Sequence, residues 1–273
     1  MDFTERVILI TGASDGIGKR LALDLAARGG VIIGCGRSVE RLAAVLAELQ
    51  RTSPRSTTIR CDVGSKDEVR AMVANVLAQY DAIDILINNA GIGMRQPFAQ
   101  TSLEIIEQLM RTNYLGAVYC TREVLPLMIA KGHGHIVNIS SVAGHIGTLN
   151  MAGYCASKFA LNGFSESLYH ELKPLGIDVS VVCPGPVKTA FNRSFAQTSP
   201  KSPQSITISP ESVSQTVIRA IEKKRFEVIT PRSIAAMCAF KRFMPGLFRA
   251  LSYRIFRSYA VADLRLSKEG KKP

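Results

Sequence analysis

The sequence has no pair of cysteines at Cys-x-x-Cys spacing and only four histidines. Its six cysteines stand at 35, 61, 120, 155, 183 and 238. Neither a zinc cluster nor a disulfide framework has that pattern. No metal is therefore expected, and the thiols read as small buried groups in a reducing compartment. Also missing is any apolar run near the roughly 20 residues that span a bilayer. No basic leader with a long apolar stretch precedes the strand-like pattern that starts at Val7. A cytoplasmic protein, or one held peripherally on the cytosolic face of a membrane, is the expectation.

Acidic charge is scarce in one place. The chain carries a net +12, and residues 223–273 hold 13 Lys and Arg against 3 Asp and Glu, so this tail accounts for +10. A basic tail on a near-neutral body points to a local anionic partner such as a membrane surface, nucleic acid or an acidic protein. No nucleic-acid module accompanies the charge, and the aromatic residues there follow a helical stripe, so nucleic acid is not expected.

What is present is an alternating pattern. The chain has 273 residues, enough for one large α/β domain. Val7-Ile8-Leu9-Ile10 reads as a buried parallel strand, and Val31-Ile32-Ile33 as a second. Further strands are expected near residues 57–61, 83–87, 135–139 (with His135 opening it), 177–183 and 226–229. Helical periodicity lies between them, from about residue 17 to 28 and at Leu42, Val45, Leu46 and Leu49. Such alternation predicts a doubly wound parallel sheet of about seven strands in a single α/β domain with a C-terminal helical extension. The expected divisions are a dinucleotide-binding and catalytic core at 1–192, a substrate loop and helix at 193–222, and a last strand with a basic extension at 223–273.

Thr11-Gly12-Ala13-Ser14-Asp15-Gly16-Ile17-Gly18 joins the first strand to the first helix. Glycines there let the backbone approach a pyrophosphate, and the helix N-terminus offers it free N–H groups. The second strand runs into Gly34-Cys35-Gly36-Arg37-Ser38, with no Asp or Glu between Val31 and Val39. A carboxylate there would hold the ribose hydroxyls of NAD, whereas Arg37 suits the extra phosphate of NADP. NADPH/NADP+ is thus expected in preference to NAD, although Asp15 in the same loop would tend to repel a phosphate.

Five motifs fall in order: residues 11–18, Cys61-Asp62-Val63, Asn88-Asn89-Ala90-Gly91, Ser141 with Tyr154-x-x-x-Lys158, and Pro184-Gly185-Pro186-Val187-Lys188-Thr189. Over roughly residues 4–192 the chain closely resembles the short-chain dehydrogenase/reductase family. The resemblance implies a catalytic tetrad of Asn113, Ser141, Tyr154 and Lys158. It places Gly12, Ser14, Gly16, Ile17 and Gly18 at the cofactor phosphates and Asp62 and Val63 beside the adenine. Asn89, Ala90 and Gly91 would line the adenosine ribose. Pro184, Gly185, Val187 and Thr189 would border the nicotinamide, with Tyr154 and Lys158 also touching the cofactor. Relatives of this kind are usually homo-oligomers.

Independently of family, Tyr154 and Lys158 share one helix face. A nearby cation favours tyrosinate, so Lys158 should lower the hydroxyl's pKa and make Tyr154 a general acid for ketone reduction. Ser141 would hydrogen-bond the substrate oxygen, and Asn113 would hold a water that relays protons to Lys158. His145, four residues past Ser141, is a weaker candidate for the substrate border.

Phe240, Phe243, Met244, Leu247, Phe248, Leu251 and Ile255 recur at three- and four-residue spacing and predict one apolar stripe, with Pro245 able to start the helix. Two readings stand: a lid over the substrate pocket, or a basic membrane-surface helix. The expected function is NADP(H)-dependent reduction of a hydrophobic, lipid- or steroid-like ketone. Its rivals are alcohol oxidation at the same site and a non-catalytic NADPH-sensing module.

Overall fold

Two apolar faces of a single sheet organise the molecule. A computed structural model describes residues 2–189, 191 and 207–269, with side chains of the last helix described to residue 257. In chain order the elements of the first half are β1 (Val7–Thr11), α1 (Gly16–Ala26), β2 (Val31–Gly36), α2 (Val39–Leu49), β3 (Thr57–Arg60), α3 (Lys66–Gln79), β4 (Ile85–Asn88) and α4 (Leu103–Met110). A π turn (Arg111–Leu115) then leads into α5 (Gly116–Lys131). The second half holds β5 (Gly134–Ile139), α6 (Ala152–Leu172), β6 (Ile177–Pro184), α7 (Pro210–Glu222), β7 (Glu227–Thr230), α8 (Arg232–Phe243) and α9 (Pro245–Glu269).

Among the described residues the strands form a seven-stranded sheet in the order β3-β2-β1-β4-β5-β6-β7. Every pairing is parallel. The doubly wound α/β architecture is therefore present as expected, and each predicted strand lies within two residues of its expected start. Strand side chains alternate between faces. Ile8 and Ile10 accordingly pack with Leu21 and Leu25 of α1 and with Val213 and Val217 of α7. Leu9 and Leu86 face the other way, toward Val69 and Val73 of α3, Val124 of α5 and Leu168 of α6. All six cysteines are free, and only Cys238 is not fully buried.

Serines start several helices by accepting a backbone N–H: Ser38 for α2, Ser65 for α3, Ser102 for α4 and Ser209 for α7. Such caps are worth about 1 kcal/mol each. Buried asparagines tie the central strands to the helices. Asn88 Nδ2 donates to Asn138 Oδ1 at 2.9 Å and to Thr121 Oγ1 at 3.3 Å, and Asn138 Nδ2 donates to Ser165 Oγ at 2.8 Å.

The single C-terminal stripe needs correction. The chain breaks at Met244 (φ −130°, ψ 60°), so Phe240 and Phe243 belong to α8, Met244 lies between the helices, and Leu247, Phe248, Leu251 and Ile255 belong to α9, which Pro245 opens. Proline fits a first helical position, where its missing N–H costs nothing. The part of the expected substrate loop at 193–206 lies outside the described residues.

Candidate active site

The carboxyl ends of β1, β4, β5 and β6 open onto one cleft of about 870 Å³. The glycine turn forms its floor. A methyl group on Gly18 would sit 2.2 Å from the Gly12 carbonyl oxygen, and one on Gly12 would sit 2.8 Å from the Ala90 Cα. Gly12 also has φ +66°, a left-handed conformation that glycine adopts without strain. The turn is braced from β4: Asn89 Nδ2 donates to the Thr11 and Gly12 carbonyls at 2.9 and 3.1 Å. Thr11 Oγ1 in turn accepts the N–H groups of Asn89 and Ala90 at 2.9 and 3.0 Å. Backbone this close and this open fits a pyrophosphate at the start of α1, and the cleft has room for a dinucleotide.

Most of the expected cofactor residues line this cleft. Ser14, Gly16 and Ile17 stand at the turn, Asp62 and Val63 after β3, and Asn89, Ala90 and Gly91 after β4. Pro184, Gly185, Val187 and Thr189 close the opposite wall, and Arg37 stands at the end of β2. Gly18 differs: it lies beneath the turn and does not line the cleft, because its packing against Gly12 leaves no surface.

Arg41 lies in the cleft wall too, and sequence reasoning missed it. The Ser38 cap accepts the Arg41 N–H at 3.3 Å and so sets Arg41 in the first turn of α2, near Arg37. Its guanidinium lies 3.8 Å from Asp15 Oδ2. Asp15 meanwhile caps α1 by accepting the Gly16 N–H at 2.6 Å. The carboxylate expected to repel a phosphate therefore has both a cation and a helix N-terminus for company. The spacing Arg37-x-x-x-Arg41 at a helix start was the available signal.

Ser141, Tyr154 and Lys158 also line the cleft. Tyr154 and Lys158 are both buried on α6. Burial pushes the Tyr154 hydroxyl up to about 12, against a smaller downward pull from its hydrogen bond with Ser141. Burial likewise pushes Lys158 down to about 8, with the Cys183 thiol opposing. The expected lowering of the tyrosine by its lysine is thus not what the protein alone produces. Both groups are starved of water, and desolvation disfavours the charged form of each. The Lys158 ammonium donates to the Ile139 carbonyl at 2.9 Å. Ser141 accepts the Ala143 N–H at 3.1 Å, which leaves its own hydrogen to give.

Asn113 stands behind this wall rather than in it, 1% exposed in the π turn between α4 and α5. Its Oδ1 accepts the Ile92 N–H at 2.8 Å, and its Nδ2 donates to the Ile92 carbonyl and to Ser157 Oγ, both at 3.0 Å. Ser157 Oγ donates onward to the Tyr154 carbonyl at 2.7 Å. Both amide hydrogens are used, so the side chain has none left for a water. A π turn shifts the helical ladder by one residue and is common at functional sites. Ser157, buried inside the Tyr-x-x-x-Lys spacing, is the link that the sequence reading did not single out.

His145 does not border the cleft. Its Nε2 lies 3.3 Å from Glu227 Oε1 and 3.2 Å from Asn162 Nδ2. Beyond Ser141, Ile92, Ala143, Met151 and Phe191 pack with Tyr154 in one apolar cluster and line the cleft, whose lining also includes Arg95, Thr112 and Thr148. The Phe191 ring lies 6.1 Å from that of Tyr154. Among the described residues, none of α8 or α9 lines the cleft.

Comparison with known proteins agrees with this geometry. The family model for short chain dehydrogenases matches residues 6–200. "Dehydrogenase/reductase SDR family member 7B" of Xenopus laevis is 35% identical over 256 residues, 89% of this chain and 79% of that protein. "Ketoacyl reductase HetN" of Nostoc sp. is 34% identical over 263 residues, 95% of this chain and 91% of that one. A short-chain dehydrogenase/reductase from Burkholderia phymatum, crystallised in complex with NAD, superposes with a TM-score of 0.82 at 25% identity, covering 90% of this chain and 96% of that chain. A nucleotide-shaped turn, a buried Tyr–Lys pair and these likenesses converge: the chain is an oxidoreductase and belongs to the short-chain dehydrogenase/reductase family.

Proposed function

We propose that the protein reduces a hydrophobic, lipid- or steroid-like ketone with NADPH, using Tyr154 as general acid. The observation that carries this reading is the convergence of Tyr154, Ser141 and Lys158 on a cleft where Ile92, Ala143, Met151 and Phe191 pack around Tyr154. The bound nicotinamide supplies the hydride. Tyr154, protonated at physiological pH because burial holds its hydroxyl near 12, gives its proton to the carbonyl oxygen. The Ser141 hydroxyl steadies that oxygen as negative charge develops on it. Lys158 sits beneath and favours the tyrosinate left after proton transfer. Asn113 positions: through Ser157 it holds the Tyr154 main chain, and any water it supports must use its backbone carbonyl.

Arg37 and Arg41 together support NADPH over NADH. One cation just after β2 and a second in the first turn of α2 suit a phosphate, and Asp15, paired with Arg41, is less free to oppose it. Charged hydrogen bonds of roughly 1.5–3 kcal/mol correspond to a preference of about 10- to 150-fold. The test is kcat/KM with each cofactor for the wild type, Arg37→Ala and Arg41→Ala, on ketones of increasing chain length. NADPH should be preferred, and Arg37→Ala should remove most of the preference. Equal values with both cofactors in the wild type would overturn the assignment, and no gain with chain length would overturn the substrate class.

A further inference from the structure

Helices α8 and α9 carry much of their apolar surface outward. Phe243 is 81% exposed, Ile255 61%, Met244 50%, Leu247 46% and Leu251 43%. The exposure follows from helical geometry. Phe248, Ser252 and Phe256 are partly covered, with Phe248 set edge-on against Phe240 of α8 at 6.0 Å. Leu247, Leu251 and Ile255, at four-residue spacing, form the next row around the helix, and all three are exposed. A contiguous apolar surface of this kind on a soluble chain marks an interaction site.

Its charges identify what it fits. The charged residues between 232 and 257 are Arg232, Lys241, Arg242, Arg249, Arg254 and Arg257, and none is acidic. A second copy docking face to face would set these cations against their own images, with no carboxylate between them. An anionic lipid surface satisfies both halves of the pattern, with acyl chains for the leucine row and headgroups for the arginines beside it. No described helix is long and apolar enough to cross a membrane, so the helix would lie in the interface.

The helices are fixed to the rim of the active site. Ile234 of α8 is buried so tightly beneath Gly185 that a methyl group on that glycine would lie 2.2 Å from its Cδ1. At the far end of α8, Lys241 Nζ donates to the His145 carbonyl and stands 5.3 Å from the centre of the Phe159 ring. Gly185 lines the cleft, and His145 follows the turn that carries Val142 and Ala143.

We infer that α8 and α9 dock the protein peripherally on an anionic bilayer, through the Leu247–Leu251–Ile255 row and its flanking arginines, with the cleft held beside the lipid surface. The test is flotation of the full chain with vesicles of phosphatidylcholine alone or mixed with phosphatidylserine, at low and high salt. The wild type should float with the anionic vesicles at low salt and be released as salt shortens the Debye length. Leu247→Ser/Leu251→Ser/Ile255→Ser should lose flotation while its charge is intact. Arg254→Glu/Arg257→Glu should weaken binding by roughly 25-fold or more, at about fivefold per cation removed. Circular dichroism and reduction of a water-soluble ketone should match wild type in both variants, because these side chains point away from the body. Wild-type protein that fails to float at low salt would overturn the proposal. So would unaltered flotation of the serine variant, or a dimer that this variant splits while lipid binding is absent.

Discussion

Leu25 on α1 and Leu251 on α9 occupy the same kind of position, an apolar point on an amphipathic helix, yet Leu25 is fully buried and Leu251 is 43% exposed. The body supplies α1 with a sheet face and with α7, and the tail supplies α9 mainly with α8. One apolar period therefore has two outcomes, set by whether a partner surface exists. The charges differ likewise. Arg20 on α1 pairs with Asp24 at 2.7 Å, whereas residues 232–257 of α8 and α9 include no acidic residue to pair with. The body satisfies itself, and the tail is complementary to something outside it.

The contrast is sharpest in the chemistry, which should reside wholly in the body. Tyr154→Phe is expected to cut ketone turnover by about 100-fold or more, the usual worth of general acid catalysis, while NADPH binding followed by fluorescence persists. A mutant with more than about a tenth of the wild-type rate would show that another group donates the proton. Reduction should also slow as pH rises through about 8, where Lys158 loses its charge, and a flat profile to pH 10 (well above that value) would deny Lys158 a role as a cation.

Stability offers the next comparison. Leu25→Ala should cost about 2–5 kcal/mol in denaturant unfolding, as buried leucines do. Leu251→Ala should cost less than about 0.5 kcal/mol, as surface substitutions do. Equal losses would mean that α9 has a partner in solution and would break the distinction drawn here.

A smaller effect separates the two regions by pH. His135 is buried in β5, with Nε2 2.8 Å from Ser180 Oγ, and Ser180 Oγ donates to the Arg225 carbonyl at 2.6 Å. Burial lowers the imidazole from 6.5 to about 4, and the Asp178 carboxylate opposes the shift. Because the folded value is depressed, the unfolded chain takes up the proton first, and stability falls as pH drops below 6.5 toward 4. At pH 5 the loss should be about 2 kcal/mol relative to pH 8. Denaturant titrations of wild type and His135→Gln at both pH values check this, since the variant should lack that component. An identical pH dependence in the two would remove His135 from the account.

What the sequence determined by itself is local. The strands were legible because a parallel strand covered on both faces must be a short apolar run, as at residues 7–10 and 177–183. The glycine turn was legible because positive φ and close backbone approach exclude other residues. Tyr154 and Lys158 were legible because four residues on a helix make one turn. Tertiary structure decided whatever depends on groups far apart in the chain. Tyr154 is buried among Leu109, Ala143 and Phe191, brought from distant parts of the chain, and burial of Tyr154 and Lys158 reverses the pKa shift which their spacing alone suggests. The locking of Asn113 needs Ile92 and Ser157, 21 and 44 residues away. His145 turns from the cleft because Glu227, 82 positions along, lies beside it. The direction of the leucine row on α9 was settled last, since periodicity states which residues share a face and only the neighbouring elements decide what that face meets.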